Sequence, residues 1–78
     1  MTKRIFSVLR QKILVQLSSG QQSVNQIASG SGINWKSVDR HVSYLRAEGL
    51  VKCVFSHPSV KVFEITNAGR VIMEREFE

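Results

Sequence analysis

Few side chains in this 78-residue chain are of the types that do chemistry. Cys53, His41 and His57 are its only cysteine and histidines. They stand too far apart to share the close spacing of a metal-binding turn or helix face, so neither a metal site nor a cofactor is expected. His41 reads as a helix-edge packing residue and Cys53 as a half-buried strand residue. No nucleophile is paired with a base, and no glycine-rich loop leads into a helix to cradle phosphate, so no catalytic residue is assigned and an enzyme is not expected. What remains is cationic. Lys36 and Arg40 are four residues apart, one turn of a helix. An arginine there can pair through two hydrogen bonds with guanine O6 and N7, and a lysine can serve a guanine or a phosphate.

The charge distribution points the same way. The chain carries a formal +5. Residues 1–63 hold nine basic and two acidic side chains, whereas residues 64–78 hold two basic and four acidic. A polyanion would be attracted to the first four-fifths of this basic protein. Asp39 opposes such a partner and is expected to orient Arg40 or Arg46 instead. With 42% hydrophobic and 22% charged residues the composition is that of a folded protein. A single domain over 1–78 is expected, so small that it is stable only with an economical core or with help from a partner chain. There is no apolar run of membrane length and no signal-peptide pattern. One cysteine suits a reducing compartment, so a cytoplasmic, nucleoid-associated location is expected.

The elements that must position Lys36 and Arg40 follow from periodicity. Ile5, Leu9, Ile13 and Leu17, with Phe6 and Leu14 beside them, form the apolar stripe of a first helix over about 3–18, ended by Ser18-Ser19-Gly20. Val8 and Val15 widen that stripe beyond one core face. Ser23 and Gln26 form a capping box for a second helix over about 24–29, broken by Gly30-Ser31-Gly32. Asn34 caps a third helix over about 35–48, which Gly49 stops. Its Val38, Val42 and Leu45 face inward; Lys36, Arg40, Ser43 and Ala47 face outward, flanked by Ser37 and Tyr44. After Gly49 the period drops from 3.6 to 2, and a hairpin is expected over about 50–65 with Ser56-His57-Pro58-Ser59 at its tip. Thr66 can cap a last helix over about 67–77 carrying Val71, Ile72 and Phe77. A small extra strand residue is expected near Ile33. The fold class is α+β and mainly helical, in the order α1-α2-α3-β-β-α4.

From Val24 to Gly69 the chain resembles the winged helix-turn-helix domain of small prokaryotic and archaeal regulators of the arsenic-repressor and multiple-antibiotic-resistance kind. The resemblance rests on Ile27-Ala28 and Gly32-Ile33, on the stretch from Ser37 to Val51 with its Leu45-x-x-x-Gly49-Leu50-Val51 exit, and on Phe63-Glu64-Ile65-Thr66-Asn67-Ala68-Gly69-Arg70. It implies a transcriptional regulator whose third helix enters the major groove of double-stranded DNA and reads its sequence. Asn34, Trp35, Lys36, Ser37 and Arg40 would then reach base edges, with Ser43 and Tyr44 a turn deeper. Trp35 has two open readings, packing on the α2–α3 turn or lying against sugar-phosphate. In such proteins a two-stranded wing lies on the backbone or in the minor groove. Here it would offer Lys52, His57, Ser59 and Lys61, unless these merely form a solvated edge. Backbone N–H groups around Gln22 and Ser23 could meet a phosphate at the start of the second helix.

The resemblance also implies a homodimer through the terminal helices. Phe6, Val8, Val15, Ile72, Met73 and Phe77 are the candidates, unless that apolar surplus only completes a thin core. The arsenic-repressor type senses metal through a Cys-x-Cys in the recognition region, which this chain lacks, and no small-molecule effector is evident. The competing expectations are a winged-helix interaction or assembly module with no DNA role, and a nonspecific nucleoid-type DNA binder. An interaction module would show an apolar patch on the third helix where Lys36, Ser37, Arg40 and Ser43 stand.

Overall fold

The computed structural model describes the backbone of residues 2–76 and the side chains of residues 8–75. Helix α1 spans Thr2–Ser18. Ile13, Leu14 and Leu17 repeat at three- and four-residue intervals and are buried to 1% exposure or less. The helix ends where the Ser18 hydroxyl donates to the Val15 carbonyl, and Gly20 then takes a φ of 143°, which favours glycine.

Two residues, Gln22–Ser23, form β1. The expected extra strand residue near Ile33 therefore lies elsewhere in the chain. Ser23 is already extended, with ψ 166°, because it caps the next helix, and this lets the segment lie beside a later strand. Ile33 sits between two helices, packed on the core.

Helix α2 spans Val24–Ser31 and is two residues longer than expected. Gly30 and Ser31 stay helical, the Ser31 hydroxyl donating to the Ile27 carbonyl, and only Gly32, at φ 75°, ends the helix. At its start the capping box is complete: Gln26 N–H donates to Ser23 Oγ at 3.1 Å, and Ser23 N–H to Gln26 Oε1 at 2.9 Å. Helix α3 spans Trp35–Ala47, with Asn34 Oδ1 accepting from Lys36 N–H at 2.8 Å. Val38, His41, Val42 and Leu45 form its buried side.

Strands β2, Val51–His57, and β3, Val60–Ile65, form the wing, and β1 pairs with β3 on the other side, giving the antiparallel order β1-β3-β2. A bulge between Cys53 and Phe55 shifts the register of β2 against β3. Beyond it Val51 faces Ile65 and both enter the core, while Lys52 faces Glu64 outside. Helix α4, Asn67–Glu76, starts at Thr66, whose hydroxyl accepts from Gly69 N–H. It returns to α1, where Gln11 Nε2 donates to the Met73 carbonyl at 2.7 Å. One core of Ile13, Leu14, Leu17, Ile27, Val38, Val42, Leu45, Val51, Phe63 and Ile65 joins helices and sheet. The element order is the one the periodicity predicts.

Candidate nucleic-acid interface

Helix α3 is amphipathic in the sense a reading helix requires. Val38, Val42 and Leu45 are 0–1% exposed, so the helix is held by its back. Lys36, Arg40 and Ser43 are exposed on the opposite side, and Ser37 is half-buried beside them. Asn34 Oδ1 is occupied by the cap, which leaves its amide NH2 to offer. Trp35 is 54% exposed at the first turn.

Trp35 does not stand alone. With Asp39 from α3, Val24 and Asn25 from α2, and His57, Pro58, Ser59, Val60 and Lys61 from the wing, it lines a cleft of about 310 Å3. The wing tip thus comes down beside the first turn of α3. The tip is held locally: Ser59 N–H donates to His57 Nδ1 at 3.2 Å, and the Ser59 hydroxyl lies 2.9 Å from the same nitrogen. Phe55 and His57, two residues apart on one strand face, stack with centroids 6.5 Å apart.

The two wing lysines differ. Lys61 pairs across the ladder with Ser56 and lines the cleft. Lys52 lies on the opposite face of the sheet, its Nζ 3.4 Å from a Glu64 carboxylate oxygen. Its charge is partly compensated there, which sets it apart from Lys61. The start of α2 also departs from expectation. Ser23 is 8% exposed, its hydroxyl and N–H both committed to Gln26. The Gln22 amide exchanges hydrogen bonds with Gln16, accepting from Gln16 Nε2 and donating to the Gln16 carbonyl, both at 3.1 Å. Those two residues build the corner between α1 and α2, and the polar residue presented to the cleft is Asn25. Asn25 is placed by the spacing of the capping box, two residues after Ser23, but nothing local shows that the wing folds over it.

Residues 7–52, from α1 to the start of β2, match the family model for bacterial regulatory proteins of the arsR family. The chain belongs to this family. No curated protein matches it. Among solved structures it resembles the transcriptional regulator BldR of Sulfolobus solfataricus, with TM-score 0.79 and 24% identity over 87% of this chain and 50% of that one. It also resembles Bordetella bronchiseptica BpsR, whose DNA binding is regulated by 6-hydroxynicotinic acid, with TM-score 0.77 and 22% identity over 85% and 48% of the two chains. A possible regulator for arsenical resistance gives TM-score 0.66 and 22% identity, over 83% and 67%. At these identities the likeness is one of fold, and this chain spans about half the length of the first two. The fold is that of arsR-type and MarR-type winged-helix transcriptional regulators.

Three further features of this arsR-family chain bear on the site. Tyr44, 42% exposed on α3, carries the Arg10 guanidinium of α1 over its ring, 4.7 Å from the centroid. Sequence reasoning missed Arg10, although a signal existed. Arg10 precedes Ile13, Leu14 and Leu17 by three, four and seven residues, so it falls in the inward sector of α1 and must find a partner there. His41 is buried at 6% exposure, and its pKa is lowered from the ordinary 6.5 first by burial, then by Arg10 and Arg40. Among the described residues no three His, Cys, Asp or Glu side chains gather as metal ligands, and no helix is long and apolar enough to cross a membrane.

The terminal helices divide the expected dimer residues. Val8 and Val15, seven residues apart on one face of α1, are 49% and 39% exposed. Ile72 and Met73 are half-buried and pack on the chain's own core, while their neighbour Val71 is 52% exposed. The side chains of Phe6 and Phe77 lie outside the described residues.

Proposed function

We propose that this arsR-family chain is a sequence-specific double-stranded DNA-binding regulator that acts as a homodimer. Helix α3 enters the major groove, and the wing tip lies on the adjacent backbone or minor groove. One observation carries the reading. The side of α3 that turns away from the buried Val38, Val42 and Leu45 presents Lys36, Arg40 and Ser43 to solvent, with no large apolar side chain among them. A groove about 12 Å wide admits such a helix. Arg40 and Lys36 then read or anchor, and Ser43 donates or accepts a turn deeper. At the first turn Asn34 offers its amide, Ser37 its hydroxyl and Trp35 an indole facing the cleft. Lys61, His57 and Ser59 supply the wing contact, with Asn25 beside them. BpsR, a fold relative, is itself a DNA binder.

The exposed Val8 and Val15 on α1 and Val71 on α4 support the homodimer reading. Two copies related by a twofold axis would set their α3 helices in successive major grooves, about 34 Å apart. Selection of bound duplexes from a random pool tests the whole reading. The expected product is a pseudo-palindromic motif with half-sites about one helical turn apart. A pool that stays unenriched while binding is strong would leave a nonspecific DNA binder, and absence of binding would end the DNA reading.

A further inference from the structure

The recognition helix has two flanks, and they are furnished from different parts of the chain. At about 100° per residue, Asp39 and Tyr44 lie about 140° apart around α3, on either side of Lys36 and Arg40. The Trp35–Asp39 flank meets the wing tip. The Tyr44 flank meets α1, through Arg10. A major groove is bounded by two sugar-phosphate strands, one along each side of an inserted helix. The wing accounts for one of them.

We propose that Arg10 is the phosphate contact for the other strand, with Tyr44 as the residue that positions it. The inference rests on the reading of α3 as the helix in the groove. Arginine stacked on an aromatic face has its planar fork pre-oriented, so its edge N–H groups are aimed rather than searching. The ring centroid 4.7 Å from Arg10 Cζ is that arrangement. Tyr44 stands one turn after Arg40, so the Arg10 guanidinium extends the cationic row of Lys36 and Arg40 sideways from the helix. The buried His41 beside it feels both Arg10 and Arg40, which favours its neutral form and places the Arg10 charge close to α3. DNA contact from α1 gives its otherwise inward-facing arginine a role beyond packing.

Phosphate contacts do not depend on sequence, so a labelled random-sequence duplex is a sufficient probe. Its affinity for the full chain is measured by fluorescence anisotropy across a salt series, with circular dichroism confirming that each variant folds. Arg10→Met keeps the apolar stem. It is expected to weaken binding about tenfold at low salt and to reduce the slope of log K against log salt by about 0.9, one contact's worth. Arg10→Lys, which keeps the charge, retains most of the slope. Tyr44→Phe retains the ring and is expected to keep the Arg10 share of the salt slope, whereas Tyr44→Leu loses part of it. An Arg10→Met protein with unchanged slope overturns the inference, whether its affinity falls or not, because Arg10 would then act only on the fold. If Lys36→Ala weakens binding in that same series, the reading of α3 survives. No salt-dependent binding by the wild type would instead overturn the reading on which the inference rests.

Discussion

The Thr66 hydroxyl donates to the Gly49 carbonyl at 2.8 Å while accepting from Gly69 N–H at 3.1 Å. One side chain thus ties the residue that stops α3 to the first turn of α4, across the base of the wing. Leu50 adds to the same junction, its carbonyl accepting from Thr66 N–H. A Cβ at Gly69 would run into that carbonyl and into Ile65 Cγ1, so glycine is required there by close approach.

Thr66→Val removes the cap and leaves Gly49's carbonyl without that bond. A loss of about 1–2 kcal/mol is expected. Gly69→Ala overpacks the junction and should cost about 1–3 kcal/mol. For a domain of this size each kcal/mol lowers Tm by about 4–8 °C. Thermal melts that leave both variants at the wild-type Tm would contradict the junction described.

The lowered pKa of His41 makes stability depend on acidity. The folded chain resists protonating a histidine that burial, Arg10 and Arg40 hold neutral, whereas the unfolded chain takes a proton near the ordinary 6.5. Stability is therefore full above 6.5 and falls as pH drops through it, levelling off only below the folded-state pKa. Urea midpoints measured from pH 8 to 5 should show this fall, and His41→Gln should flatten it. A midpoint that rises on acidification would have the wrong sign.

The wing lysines are expected to separate. Lys61→Ala should weaken duplex binding several-fold and lower the salt slope by about 0.9. Lys52→Ala removes an exposed pair with Glu64, worth about 0–1 kcal/mol, and should leave the slope nearly unchanged. Equal effects from the two would mean that the sheet meets DNA by its other face.

For the terminal helices, Val8→Glu/Val15→Glu should convert a dimer to monomer without unfolding it, since both side chains are at least 39% exposed. Sedimentation velocity checks this. A wild type that is monomeric at all concentrations would remove the dimer from the account.

Local rules made most of this fold legible. Ser23 with Gln26, Asn34, Gly49 and Thr66 mark their helix ends through bonds to residues within a few positions, and those bonds are present. The apolar back of α3 likewise follows from spacing alone. What escaped depends on partners distant in sequence. Gln22–Ser23 becomes a strand only because β3 lies beside it. Lys52 meets Glu64 only because of the bulge; an unbroken ladder from His57 and Val60 would have set Lys52 against Ile65. The commitment of Gln22 to Gln16 follows from where α1 and α2 meet. Gly30 and Ser31 could not break α2 because each keeps helical geometry until Gly32 turns left-handed. Arg10 was visible as a cation in an apolar sector, but Tyr44 as its platform was not.

The outer face of α3 is the proposed DNA reader. Fluorescence anisotropy with duplex DNA across a salt series, wild type beside Lys36→Ala/Arg40→Ala, tests it most directly. The expected result is a steep wild-type slope, close to 0.9 per phosphate contact, and a large loss of affinity in the double variant at unchanged fold. Binding that is flat in salt, or equal in the two proteins, would contradict it.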